Sequence, residues 1–70
     1  MNTKKIKMRM VELGMTNKAL AEAIGRTPQH TSNVINGKKP LTLQMAFALQ
    51  EALAIPNIMF DVYFLSGKDD

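Results

Sequence analysis

The sequence predicts an all-α domain of five short helices, and three observations carry that expectation. Threonine stands just ahead of apolar segments at Thr16, Thr27 and Thr42, where its hydroxyl can accept from the unpaired amides of a helix start. Glycine stands just past such segments at Gly14, Gly25 and Gly37, where a left-handed residue ends a helix. Between these marks the apolar residues return at three- and four-residue intervals.

The first helix is expected over residues 4 to 13, with Ile6, Met10 and Leu13 on one stripe and the lysines elsewhere. Gly14 ends it, and Met15 folds back as the apolar contact that follows such a cap. Met8 and Val11 lie off the stripe, either on a second packing surface or partly exposed. Thr16 caps the second helix, whose inward positions are Leu20, Ala21 and Ile24, and Gly25 closes it. Thr27-Pro28 restarts the helix at once, since proline at the first position lacks only an N–H that would have no partner there. Asn36-Gly37 closes this third helix.

Two eight-residue helices joined so tightly form a helix-turn-helix, and the second has two faces. At about 100° per residue, Thr31, Val34 and Ile35 share one stripe, Gln29, Ser32 and Asn33 the opposite one, and His30 the border. The outer stripe is small, uncharged and rich in hydrogen-bonding groups. Glutamine and asparagine can each make a paired contact to adenine, and serine serves several bases.

Lys38-Lys39-Pro40 is a short basic loop, after which Thr42 caps residues 43 to 54. This fourth helix is apolar around most of its circumference and is expected to be buried on more than one side, under the helix-turn-helix. Residues 58 to 65, IMFDVYFL, follow the break at Pro56 as a fifth helix capped by Asn57, although Val62, Tyr63 and Phe64 also suit a strand. Seven of its eight side chains are apolar, more than one small core can use. Ile58, Phe60, Tyr63 and Phe64 are therefore expected at a homodimer interface; the alternative is burial within the chain. Residues 1 to 65 thus make one DNA-binding domain, and 66 to 70 a polar tail.

From Ile6 to Ile55 the chain resembles the phage repressor and Cro family of helix-turn-helix regulators. The landmarks are the Leu13-Gly14-Met15-Thr16 junction, the Leu20-Ala21 pair with Gly25 beyond it, and the Asn36-Gly37-Lys38 exit. The resemblance implies a lambda-repressor-like fold and a third helix that enters the major groove of double-stranded DNA. Gln29, Ser32 and Asn33, with Pro28 and His30 beside them, would then face the bases. It also implies backbone contacts from Asn17, Thr27, Asn36, Lys38 and Lys39, to which the position of Arg26 in the turn adds a further cation. Two departures stand out. The family has an aliphatic residue where Thr31 stands, which implies looser packing between the two helices. An arginine and a glutamate that pair between the first and third helices in the family are replaced by Met10 and Ile35, so a hydrophobic contact is expected in their place.

Charge agrees with a nucleic-acid partner. The chain carries +3 overall, but residues 1 to 50 hold eight basic against two acidic residues, +6, and residues 51 to 70 hold one against four, −3. There is no cysteine and a single histidine, and the acidic residues are scattered. Catalysis, a metal site and a cofactor are therefore not expected. No signal peptide and no apolar run of about 18 residues is present, which fits a cytoplasmic protein. The expected function is sequence-specific regulation of transcription. The alternative is an antitoxin-like or adaptor protein that binds a protein partner through the apolar C-terminal segment.

Overall fold

Helix starts fall where small polar side chains can cap them. In the computed structural model, which describes residues 1–65, α1 spans Thr3–Glu12, α2 Asn17–Ile24, α3 Pro28–Ile35 and α4 Leu43–Ala52. The hydroxyls of Thr16, Thr27 and Thr42 each accept from the amide three residues on, all at 3.1 Å. Each such cap contributes about 1 kcal/mol. A fourth cap was not anticipated: Asn2 Oδ1 accepts from the Lys5 amide at 3.1 Å, so α1 starts one residue earlier than expected. Asn2 is buried, and its own amide donates to the Tyr63 carbonyl at 2.8 Å, tying the first residues to the last described segment.

All four helices end in one hydrogen-bond pattern, in which the chain reverses through a left-handed residue and two amides return to the last turn. At α1, Gly14 and Met15 donate to Val11 and Met10; at α2, Gly25 and Arg26 donate to Glu22 and Ala21; at α3, Gly37 and Lys38 donate to Val34 and Asn33. At α4 the left-handed position is held by Ala54, with φ of 52°, and Ala54 and Ile55 donate to Glu51 and Gln50. A Cβ in this region is strained. The Arg9 guanidinium reaches across from α1 and donates to the Leu53 carbonyl at 2.9 Å and the Ala54 carbonyl at 3.2 Å, while pairing with Glu12. It binds the carbonyl end of α4, where the helix dipole favours a cation.

The segment after Pro56 is helical, which removes the strand alternative. It comprises a 3-10 turn, Asn57–Met59, and a π-helical turn, Asp61–Leu65. Asn57 does not cap it. The cap position is Pro56, and the Asn57 side chain accepts from Gln50 Nε2 at 2.6 Å, which anchors the segment to α4.

The helices enclose one core of Ile6, Met10, Leu20, Val34, Ile35, Met45, Ala46, Leu49, Leu53, Ile55 and Phe64. α2 packs against both α3 and α4. Several expectations change here. Leu13 is exposed, because it sits at the C-cap where the chain turns away. Met8 and Val11 are exposed as well. The fourth helix buries one face only: Met45, Ala46 and Leu49 point inward, while Leu43 and Phe47 are 63% and 54% exposed. Phe64, expected at an interface, is 3% exposed and belongs to the core. Thr31 is fully buried without an orphaned hydroxyl, since its Oγ1 donates to the Thr27 carbonyl at 2.9 Å. A threonine thus fills an aliphatic position by bonding back into its own helix. The expected tail at 66 to 70 lies outside the described residues.

Two stability predictions follow from this packing. Ala54→Gly relieves the left-handed strain and should raise stability by about 1 kcal/mol, less whatever the freer unfolded chain takes back; a denaturant midpoint that falls would contradict the assignment. Met10 and Ile35 are 8% and 5% exposed within the same core. Met10→Arg and Ile35→Glu should each destabilise the domain, and the double variant should recover much of the loss, with a coupling on the order of 1 kcal/mol. Strictly additive melting shifts among the four proteins would show that the two positions do not interact.

Candidate nucleic-acid interface

The third helix is positioned from below and from one end. Thr31, Val34 and Ile35 are buried against the core, which turns the opposite stripe outward. Pro28 and Gln29 are exposed, and His30, Ser32 and Asn33 are half-buried. The expected base-reading residues therefore do share one face, with His30 at its border.

At its start, α3 is tied to the start of α2. Asn17 Nδ2 donates to the Pro28 carbonyl at 3.0 Å, and with the amide held this way its Oδ1 is buried without a hydrogen-bond partner. Asn17, expected at a phosphate, therefore also bridges the starts of α2 and α3. One N–H remains on its Nδ2 for a phosphate, beside the positive ends of two helix dipoles. Thr27 also holds two roles. Its hydroxyl caps α3 and its carbonyl accepts from Thr31, while the hydroxyl hydrogen is still available to an anion.

At its end, α3 exits through Gly37 into the basic loop. The amides of Lys38 and Lys39 both donate to the Asn33 carbonyl, at 2.8 and 3.2 Å, so the loop is pinned to α3 while both lysines stay exposed. Asn36 departs from expectation. Its Nδ2 is turned back on Ser32, donating to the carbonyl at 2.8 Å and to Oγ at 3.2 Å. An amide spent in this way closes the helix and orients Ser32, and it has only an acceptor oxygen left, which repels a phosphate. In the free chain the Asn36 amide, expected at the DNA backbone, is thus engaged with Ser32. Arg26 lies exposed in the turn, with its guanidinium at 3.3 Å from the Gly25 carbonyl.

Within the outer stripe, Gln29 Nε2 donates to Asn33 Oδ1 at 3.2 Å. These residues stand one helical turn apart, the spacing at which side chains meet. No acidic residue lies between Arg26 and Lys39, so nothing on α3 opposes an anion.

The C-terminal segment presents a second surface. Ile58 is 87% exposed, Met59 and Leu65 are exposed, and Phe60 and Tyr63 are half-buried. Phe47 stacks near Phe60 at 5.6 Å between ring centroids, so the exposed side of α4 joins this surface. Met1, Leu41, Leu43, Ala46, Phe60 and Leu65 line a groove along it. Leu43 and Phe47 were not singled out from the sequence, although an apolar circumference on α4 was the signal that could have found them. No helix among the described residues is long and apolar enough to cross a membrane.

A family model for the helix-turn-helix matches residues 6–56, from the first helix through the turn that follows α4. No curated protein and no solved structure matches the chain.

Proposed function

The chain belongs to the Cro/C1-type helix-turn-helix family of DNA-binding regulators, and we propose that it recognises a specific duplex sequence with α3 in the major groove and thereby represses, or in the manner of Cro switches, transcription in the cytoplasm. The observation that carries this reading is the outer stripe of α3: a fixed row of uncharged amide and hydroxyl groups, flanked at both ends by phosphate-binding chemistry.

In this reading Gln29, Ser32 and Asn33 contact base edges, and Pro28 and His30 pack beside them. Lys38, Lys39, Arg26, Thr27 and the remaining N–H of Asn17 hold the phosphate backbone and set the register of the helix. A second copy joins through the apolar surface. Its contacts are Ile58, Phe60 and Tyr63, extended by Phe47 and Leu43, with Phe64 acting as the core support beneath them. A twofold pair of reading helices then meets two half-sites about one helical turn apart. The same exposed surface would serve a protein partner of an antitoxin-like or adaptor protein. Retardation of random duplexes at modest salt, with enrichment of one sequence, supports the regulator; partner capture without any duplex enrichment supports the adaptor.

Specific and general contacts should separate on mutation. Gln29→Ala is expected to weaken binding to the selected duplex by about 1–3 kcal/mol with little change on random duplexes. Lys38→Ala should weaken both alike and lower the salt slope by about 1. Equal losses on both kinds of duplex for both variants would refute the division of roles.

Sedimentation at micromolar concentration should give a dimer that Ile58→Asp breaks. Because Ile58 is 87% exposed within its own chain, this variant should still fold, as a monomer whose melting temperature falls only by the loss of association, whereas Phe64→Asp should unfold the domain. A parent protein that sediments as a monomer and binds one per site would overturn the dimer.

A further inference from the structure

Asn36 is the one asparagine of five that a glycine follows; Asn2, Asn17, Asn33 and Asn57 precede Thr3, Lys18, Val34 and Ile58. An asparagine side chain is open to attack by the main-chain nitrogen of the next residue, and a side chain on that residue hinders the approach. In this step the Gly37 nitrogen bonds to Asn36 Cγ, the Cγ–Nδ2 bond breaks, and ammonia leaves with the proton of the Gly37 N–H. Water then opens the cyclic imide at either carbonyl, which gives aspartate or isoaspartate. The folded chain blocks the attack. At ψ of 5° for Asn36, the Gly37 nitrogen is almost eclipsed with the Asn36 nitrogen and is turned away from Cβ. The Gly37 N–H is held by the Val34 carbonyl at 3.1 Å, and the next amide, that of Lys38, by the Asn33 carbonyl at 2.8 Å. This gate is a light one, since α3 has eight residues and positions 36 to 40 are all exposed, and helix ends of this kind open at little cost.

The geometry points to Asn36-Gly37 as a modification site, a deamidation that the exit of α3 gates and whose product binds DNA weakly. The inference rests on α3 being the groove helix. Either product puts a negative charge where a neutral amide stood, at the carbonyl end of α3, and the helix dipole disfavours it there. The carboxylate has no hydrogen to give the Ser32 carbonyl, to which the amide donates at 2.8 Å. Its charge also stands two and three residues from Lys38 and Lys39, so it offsets part of the cationic loop that meets phosphate. Isoaspartate adds a carbon to the main chain between Ile35 and Gly37, which takes the amides of Lys38 and Lys39 out of register with the Asn33 carbonyl. Neither change reverses on refolding. A molecule whose α3 exit has stood open is thereby marked, while one seated on DNA keeps the exit closed.

The full chain is held at mildly alkaline pH in native buffer, in the same buffer with a saturating amount of its selected duplex, and in denaturant, and peptide masses locate each gain of one mass unit. Conversion should come first at Asn36 in all three. It should be fastest in denaturant, slower in native buffer and slowest with the duplex. The converted protein, separated by charge, should bind the selected duplex about tenfold more weakly than the parent, and so should Asn36→Asp. Asn36→Gln, whose longer side chain cyclises poorly, should keep its own starting affinity through the same incubation. Conversion at another asparagine first, conversion in native buffer as fast as in denaturant, no conversion in native buffer at all, or converted protein that binds as the parent does would each overturn the inference while sequence-specific binding stands. A parent that enriches no duplex would overturn the groove-helix reading, and the masses from buffer and denaturant would still decide the modification.

Discussion

A helix of eight to ten residues does not hold in isolation, because nucleation costs more than so few hydrogen bonds return. α1 to α4 are all of that length. Their persistence depends on the chain reversing sharply enough, four times, to bring four apolar stripes onto one core. The left-handed residue at each exit is the constraint that allows it. Gly14, Gly25 and Gly37 reach that conformation freely, whereas Ala54 carries a side chain there. The Arg9 guanidinium on the Leu53 and Ala54 carbonyls offsets that strain, and it couples the first helix to the end of the last. The turn of highest intrinsic cost is thus the one held by a long-range charge-assisted contact.

That constraint also explains why the outer face of α3 can be polar without loss of order. Side chains at the surface of a short helix are ordinarily free to rotate, and ordering them on binding costs entropy. Here the ordering is done beforehand. Asn17 spans the two helix starts, Asn36 turns back on Ser32, and Gln29 meets Asn33. Each of these amides spends part of its hydrogen-bonding capacity inside the protein, and what remains outward is a defined set of donors and acceptors. Specificity depends on such a set, because an unmatched polar group in a desolvated groove is costly.

Much of this architecture is legible in the residues, and the legible part is local. Thr16, Thr27 and Thr42 act on amides three positions away, and the glycines act on their own backbone, so a linear reading finds them. The two faces of α3 follow from its period. Several of the failures depend on distant partners. Arg9 reads as one more cation until Leu53 and Ala54, 44 and 45 residues on, are placed beside it. Asn2 reads as a leading polar residue, yet it is buried against Tyr63. Ala54 carries no mark of a left-handed turn. Phe64 and Ile58 look alike in an apolar run, but the π-helical turn sends one into the core and leaves the other in solvent. Asn36 is a phosphate contact by resemblance, and the residues alone do not show that its amide is engaged with Ser32 in the free chain.

The division between Phe64 and Ile58 bears on why a chain of 70 residues carries so much apolar surface at one end. A domain this small buries a limited share of its surface, and a single core leaves little margin over the entropy of folding. Phe64 contributes to that core directly. Ile58, Leu43 and Phe47 contribute little to it while they largely face water, and an exposed patch of this kind carries a risk of aggregation. Their retention is accounted for if the margin is made up by association, in which the same residues become buried. The reading helix would gain as well, since one eight-residue helix spans few base pairs and two held by a rigid contact span twice as many. Folding stability and the length of the site that is read would then rest on the same surface, which lies on the C-terminal segment and the outer side of α4, apart from the polar stripe of α3.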